Sequence, residues 1–267
     1  MRGGPAAVAC ALTMLVSCAS ITVTGEDDAD RWVPRVGETW QIQLQGAVDT
    51  SIDADVYDVD LFDVDEAVVD ALGAEGAHVM CYLSAGTFEE WRDDASRFPD
   101  EVVGKPLKNW PGEHWLDVRR LDVLEPILAD RLDLCRAKGF DAVDPDNLDG
   151  YTQDSGFPLT AEDQLRFNRL VARLAHERSL AVGLKNDLEQ VGELVSEFDF
   201  AINESCVATG ECHLLTPFIA AGKPVFHIEY VLRPVEFCAV TVPLRFSSVW
   251  KPRDLTVPWE WCPAPDG

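Results

Sequence analysis

The segment FDAVDPDNLDGYTQDSGFPLTAEDQLRFNRLVARLAHERSLAVGLKND, residues 140–187, places a strand, a helix and a second strand in succession. FDAVD at 140–144 reads as the first strand. Thr160 before Ala161, Glu162 and Asp163 reads as a helix start, with a hydroxyl to cap free amides and acids in the first turn. Leu165, Leu170, Val171 and Leu174 recur at helical spacing through 160–179, and LAVGLK at 180–185 reads as the second strand.

The alternation continues outward in both directions. Strands are expected at 40–46, 56–62 and 78–84 before this unit, and at 198–203, 224–229 and 246–250 after it. A second clear helix is expected over 119–138. Eight strands alternating with helices is the count of a (β/α)8 TIM-type barrel, an α/β fold. The interval between Gly46 and Val56 is too short for a full helix, so the first crossover is expected to be a loop. A doubly wound open sheet is the alternative, but no glycine-rich phosphate loop follows any strand.

The leader reads separately. Arg2 precedes an apolar run from Ala6 to Val16, too short to span a membrane and shaped like a secretory signal. Leu15-Val16-Ser17-Cys18 resembles a bacterial lipobox, in which Cys18 carries lipid; cleavage after Ser20 is the alternative. The expected organisation is a signal peptide at 1–17, a polar tether at 18–37 and one domain at 38–267. Such a protein is exported, and sits at the cell surface if lipidated or is secreted if not. Of eight cysteines, Cys10 leaves with the signal and Cys18 takes the lipid, so six remain for up to three disulfides. Cys206 and Cys212 bracket a short loop and close most readily; Cys81–Cys135 and Cys238–Cys262 are the expected remaining pairs. No ligand spacing points to a metal, and no cofactor is expected.

Barrel enzymes gather their chemistry at the carboxyl ends of the strands. Those ends carry Asp49 and Asp60 after the first two strands, then Tyr82 with Ser84. The fourth ends in Asp144-Pro145-Asp146-Asn147, the fifth in Lys185-Asn186-Asp187 and the sixth in Asn203-Glu204. The last two end in Glu229-Tyr230 and Trp250-Lys251. Glycoside hydrolysis needs two carboxylates, one to attack or activate water and one to protonate the leaving oxygen. Asp146 and Glu204 meet that need from the fourth and sixth strands, and Lys185 between them would hold Asp146 ionised. Asp144 is the alternative to Asp146. Glu204 otherwise caps the disulfide loop, and Glu229 stands open between sugar ligand and ion-pair partner of Lys185.

Several runs carry a family resemblance. Cys81-Tyr-Leu-Ser-Ala-Gly-Thr-Phe-Glu-Glu-Trp-Arg, Trp110-Pro-Gly-Glu-His-Trp-Leu-Asp-Val-Arg and Gly139-Phe-Asp-Ala-Val-Asp-Pro-Asp-Asn-Leu-Asp-Gly-Tyr occur in order. Gly183-Leu-Lys-Asn and Ala201-Ile-Asn-Glu follow. Together they resemble glycoside hydrolase family 114 across about residues 38–253. The resemblance implies a (β/α)8 barrel with a short first crossover and endo-α-1,4-polygalactosaminidase activity. Asp146 then matches the catalytic aspartate and Glu204 the catalytic glutamate. The expected sugar contacts are Asp49, Tyr82, Asp144, Asn147, Lys185, Asn203, Glu229 and Tyr230.

Other features have structural readings. The 110–120 segment, with Trp110, Trp115, Asp117 and Arg119, is expected to close the barrel as a loop tied down by Asp117 and Arg119. Trp259 and Trp261 read as packing or as a flap held by Cys262. His114, His176 and His213 are expected at the surface, whereas His227 lines the barrel.

With 47 Asp and Glu against 22 Lys and Arg, the net charge is −25. That excludes nucleic acid and anionic lipid as partners, leaving membrane contact only through the lipid anchor. The charge leaves cationic ligands and high-salt solubility open. A de-N-acetylated galactosamine polymer, which the resemblance implies, is cationic and would be drawn to an acidic mouth. A non-catalytic surface protein that binds such a polymer on the same barrel is the rival reading.

Overall fold

The computed structural model describes residues 1, 3, 4, 31–257 and 259–263. Cys18 and most of the expected signal and tether lie outside the described residues. Strands β1 (Trp40–Gln43), β2 (Val56–Asp60) and β3 (His78–Ser84) open a parallel sheet. Strands β4 (Thr87–Glu89), β5 (Val103–Pro106) and β6 (Glu113–Leu116) form a separate antiparallel sheet on the excursion that follows. Strands β7 (Ala142–Asp146), β8 (Ala181–Lys185), β9 (Phe200–Glu204), β10 (Val225–Glu229) and β11 (Ser247–Trp250) complete eight parallel strands in chain order. A short antiparallel β12 (Glu260–Trp261) pairs with β11.

Helices fill every crossover but the first. They are α1 (Glu66–Ala74), α2 (Leu121–Ala137), α3 (Ala161–His176), α4 (Val191–Leu194), α5 (Cys206–Thr209), α6 (Thr216–Ala220) and α7 (Pro234–Thr241). Thr160 caps α3 through a reciprocal bond with Asp163. In the helix-free first crossover, buried Gln43 donates to the carbonyls of Gln45 and Ala47 and accepts from the Asp49 amide. The Tyr57 hydroxyl donates to the carbonyl of Ile52. Side-chain bonds thus hold the loop that a helix would otherwise replace.

The fourth strand runs on through Pro145, past its expected end at Asp144. Asp146 turns its carbonyl to the β3 side, where it accepts from the amides of Ala85 and Gly86. Pro145 therefore faces β8, and the ladder to β8 ends at Val143. The missing proline amide leaves no gap in that ladder.

Alternation along the strands separates two cores. Val56, Met80, Ala142, Ala181, Phe200, Phe226 and Val249 meet inside the barrel. Val59, Cys81, Val143, Val182 and Ala201 face the helices in the larger cluster. Trp32 stacks on His78 at 4.5 Å between ring centroids and lies against Phe200. Between β11 and β1 no backbone ladder forms among the described residues, and side chains bridge that seam. The Trp40 indole donates to the Ser247 carbonyl and the Trp261 indole to the Trp40 carbonyl, each at 2.8 Å. Trp261 is therefore a packing residue of the seam. Cys262 bonds to Cys238 of α7, beside the disulfides Cys81–Cys135 and Cys206–Cys212.

His227 does not line the barrel. Its strand neighbours Phe226 and Ile228 point inward, so His227 faces outward against Phe237, with its ring 6.0 Å away.

Small residues on β8 leave room for the large aromatic of β9. A Cβ on Gly183 would lie 2.4 Å from the Phe200 ring. Gly183→Ala is therefore expected to destabilise the fold by about 1–3 kcal/mol through overpacking, read as a lower midpoint in thermal unfolding.

Candidate active site

Strands β7, β8 and β9 bring Asp146, Lys185 and Glu204 to one end of the barrel. Each is the last residue of its strand with inward parity. The next residue is left-handed in every case: Asn147 at φ 64°, Asn186 at φ 55° and Ser205 at φ 64°. The chain turns away sharply there and leaves the preceding side chain at the rim. Gly86 serves the same geometry, because a Cβ on it would sit 1.8 Å from the Asn147 carbonyl oxygen. The resulting cleft has a volume of about 1440 Å³ and is lined by Tyr82, Asp146, Asn147, Lys185, Asn186, Glu204 and Tyr230, among others.

Asp146 is held by three neighbours. The Tyr82 hydroxyl donates to its Oδ2 at 2.9 Å, the Asn147 amide donates to Oδ1 at 2.8 Å, and the Lys185 ammonium lies 3.6 Å from Oδ1. Glu204 has its own set. The Tyr230 hydroxyl donates to Oε1 and the Asn186 side-chain amide to Oε2 at 3.1 Å. The Asn186 side-chain Oδ1 accepts from the Glu204 backbone amide, which fixes the strand end. Burial and the adjacent carboxylates push both tyrosines well above the usual phenol range, so they stay donors.

Lys185 joins this centre to a buried layer beneath it. Its ammonium lies 3.2 Å from Oδ2 of Asp144, a fully buried residue two positions before Asp146. Burial alone would strip the Lys185 proton. Asp144, Asp146, Glu204 and Asp58 outweigh it and hold the ammonium well above its usual range. Asp58 on β2 is fully buried and hydrogen-bonds to Asp144. Burial and then the Asp144 charge raise Asp58 well above the carboxylate range, so it carries the proton of that pair. Burial pushes Asp144 up to about 6, with Lys185 opposing.

Other expected contacts lie away from the cleft. Asp49 sits in the first crossover and accepts from Ser51. Asp144 lies under the cleft floor. Asn203 has outward parity, and its Oδ1 accepts from the Cys206 amide. Glu229 neither reaches Lys185 nor lines the cleft. It is fully buried on the outward face of β10, where Oε1 accepts from the amides of Val207 and Ala208 at 3.1 Å. The parity of β10 sends Tyr230, one residue later, to the mouth in its place. The cluster of Cys206, Cys212 and His227 offers no thiolate to a metal, because both sulfurs are in a disulfide.

Several cleft residues come from the excursion after β3. The 110–120 segment carries β6 and is not the expected loop. Asp117 takes Arg119 in two bonds of 2.7 Å inside the segment, and the segment is held instead by backbone bonds from Leu116 to Gly86 and from Asp117 to Val102. It also forms a wall: Trp110, Glu113 and Trp115 line the cleft, with Trp91 opposite in sequence beyond β4. Trp91 and Trp110 are half exposed. Arg92 takes Asp60 at 2.6 Å and Glu89 at 2.8 Å. Apart from Asp60, these residues fall within the family runs, but nothing in their spacing shows that they meet. His114 of the same segment is half-buried and stacks on Phe88.

A second buried acid pair lies behind the β7 and β8 ends. Asp149 lines the cleft, and burial pushes it up to about 6. Burial and then the Asp149 charge push Asp187 up to about 8, and the Asn168 amide donates to Asp187 Oδ2 at 2.8 Å.

Two outcomes are expected. Lys185→Met strands Asp144 and Asp146 and costs about 3–5 kcal/mol in urea unfolding. Asp58→Asn keeps a neutral donor to Asp144 and costs less than about 1.5 kcal/mol in the same measurement. Raised acids make the folded state hold more protons than the unfolded chain, so stability falls as pH climbs from about 4 through the folded-state values of about 6 for Asp149 and about 8 for Asp187. Asp187→Asn is expected to flatten the upper part of that fall in thermal melts. An unchanged slope between pH 6 and 8 counts against a neutral Asp187.

This geometry has known counterparts. The family model for glycoside-hydrolase family GH114 matches residues 22–265. The chain is similar to Aspergillus fumigatus Ega3 in its complex with galactosamine, with a TM-score of 0.84 and 38% identity over 89% of this chain and 100% of that one. The glycoside hydrolase domain of PelA from Pseudomonas aeruginosa shares the fold, with a TM-score of 0.63 and 17% identity over 83% of this chain and 96% of that one. The α-galactosidase TtGalA from Thermus thermophilus also shares it, with a TM-score of 0.55 and 14% identity over 86% and 61%. A comparison with curated protein sequences finds no match. A match over nearly the whole chain, on a barrel with acids at the mouth, places the protein in glycoside-hydrolase family GH114 as a glycoside hydrolase.

Proposed function

We propose that the protein is an exported, endo-acting hydrolase of α-1,4-linked galactosamine polysaccharide, with Asp146 as nucleophile and Glu204 as acid/base. The observation that carries this reading is the placement of Asp146 and Glu204 in one cleft, each held by a separate set of donors. The galactosamine bound to Ega3 supports the sugar, and the negative charge of this chain suits a polymer of free amines. The cleft is larger than the ~300–1,000 Å³ of a typical small-molecule pocket, which suits several sugar units and internal cleavage. Three disulfides suit an oxidising compartment outside the cytosol, and lipidation at Cys18 belongs to the same proposal.

In the first step an Asp146 oxygen attacks C1 while the bond to the leaving oxygen breaks and Glu204 gives that oxygen its proton. Lys185 and Tyr82 keep Asp146 charged and aimed. Tyr230 holds its own proton and donates to Glu204 Oε1 while the Asn186 amide donates to Oε2, so the two donors aim the carboxyl at the leaving oxygen. In the second step Glu204 takes a proton from water as the water oxygen bonds to C1 and frees Asp146. The product keeps the α configuration.

Release of reducing ends from de-N-acetylated α-1,4-galactosamine polymer tests the assignment. Asp146→Asn and Glu204→Gln are each expected to lower kcat by at least about 100-fold. Either variant cutting as fast as the parent overturns its assigned role. A β-configured first product, seen by NMR, replaces double displacement with inversion.

A further inference from the structure

The wall built by β4 and β6 carries an arrangement that the hydrolytic step does not use. Cross-strand register sets Glu89 directly opposite Glu113. Both line the cleft and both are buried, at 4% and 7% exposure. Like charges facing each other across a strand pair are destabilising, and burial makes the conflict worse. Arg92 relieves only part of it, since its bonds go to Asp60 and Glu89. Glu89 Oε2 is buried without any partner.

Glu113 enters no ion pair among the described residues. Its Oε1 accepts from the Thr87 hydroxyl and, at 3.4 Å, from the Asn147 side-chain amide, both neutral donors. Asp60 and Glu89 thus take the Arg92 guanidinium, and Glu113 is left without a cation in contact. Burial pushes the Glu113 carboxyl up to about 7, with Thr87 opposing, Asp146 and Glu89 adding, and Arg92 acting only through its more distant charge. A bound cation would remove this imbalance.

The position of Glu113 says which cation fits. Asn147 links it to the reaction centre: its backbone amide donates to Asp146 and its side chain donates to Glu113. In a 2-amino sugar the nitrogen sits on C2, one bond from the C1 that Asp146 attacks. A sugar with C1 on Asp146 and C2 turned toward Asn147 would bring that amine to the Glu113 side of the cleft. Among the other cleft acids, Asp60 and Glu89 hold Arg92, Asp154 holds Lys105 at 2.7 Å, and Asp63 and Asp254 are exposed, which leaves Asp149, bonded to neutral Gln153, as the rival position.

We infer that Glu113 is the counter-charge for the C2 ammonium of the sugar seated on Asp146, and that it sets the preference for free amino sugars over N-acetylated ones. The inference rests on the reading of Asp146 as the nucleophile of a galactosamine hydrolase. An N-acetyl group brings no charge and buries a neutral amide against an unsatisfied carboxylate. The enzyme would reject it for that reason, independently of steric fit.

Glu113→Gln tests this, because glutamine keeps an oxygen for Thr87 and Asn147 while removing the charge. Parent and variant are compared on α-1,4-galactosamine polymer in de-N-acetylated and N-acetylated forms, with thermal midpoints to confirm folding. On the de-N-acetylated polymer kcat/KM is expected to fall roughly 30-fold or more, and on the N-acetylated polymer to change less than about 3-fold. Inhibition by free galactosamine should weaken by a similar factor while inhibition by galactose holds. This second readout decides the matter where the N-acetylated polymer is not cut at all. Equal loss on both polymers, or unchanged galactosamine inhibition, overturns the role of Glu113. Loss of preference in Asp149→Asn with preference retained in Glu113→Gln does so as well. A parent that cuts neither polymer overturns the galactosamine reading itself, and this inference with it.

Discussion

The Lys185 ammonium, buried between Asp144 and Asp146, is the interaction on which the rest of the barrel mouth depends. Asp58 of β2 and Asp144 and Asp146 of β7 project inward toward the same end of the barrel across β3, and Glu204 joins them from β9. Without a cation among them, burial would force protons onto these acids or push the strands apart. Lys185 sets a positive charge between Asp144 and Asp146, while Asp58 below carries a proton and gives up its charge. Its place depends on β8, whose residues Ala181 and Gly183 leave room for Phe200 beneath. The apolar lower barrel and the charged upper barrel are thus joined along one strand.

A second cation organises the edge of the same mouth. Arg131 of α2 is buried, donates to the Ser84 carbonyl at the end of β3 and holds Asp94 in two bonds of 2.8 Å. Its guanidinium also lies 5.3 Å from the Phe62 ring centre, and that of Arg92 lies 4.7 Å from the same centre. The start of the excursion is thereby fixed to the barrel, which allows β4 and β6 to stand as a wall. That wall turns an open barrel end into a cleft of about 1440 Å³. The two half-exposed tryptophans on it, Trp91 and Trp110, offer flat apolar faces to sugar rings.

The barrel, its loop-like first crossover, the three disulfides and the residues Tyr82, Asp146, Asn147, Lys185, Glu204 and Tyr230 of the cleft were all legible in the sequence. Apolar spacing, strand ends and the short Cys206–Cys212 loop are local properties, whereas Cys81–Cys135 and Cys238–Cys262 join residues 54 and 24 apart and are one choice among the 15 connectivities that six cysteines allow. Asn203 and Glu229 were misplaced because a strand end does not reveal which face its last residue takes. That depends on parity relative to the inner core, and a boundary shift of one residue reverses it. Pro145 had the same effect on the fourth strand, which looked as though it ended one residue before the proline.

By itself, the sequence determined the alternation that curls eight strands into a barrel and the acids that gather at its mouth, because hydrophobic period and strand-end chemistry are written along the chain. Only the tertiary structure decided the buried layer beneath the mouth and the pairings of the wall: Asp58 as the proton carrier, Arg92 shared by Asp60 and Glu89, and Glu113 left without a cation. These depend on burial and on distances between residues far apart in the chain. Electrostatic energy inside a protein is set by exactly those two quantities, and neither can be read from residue order.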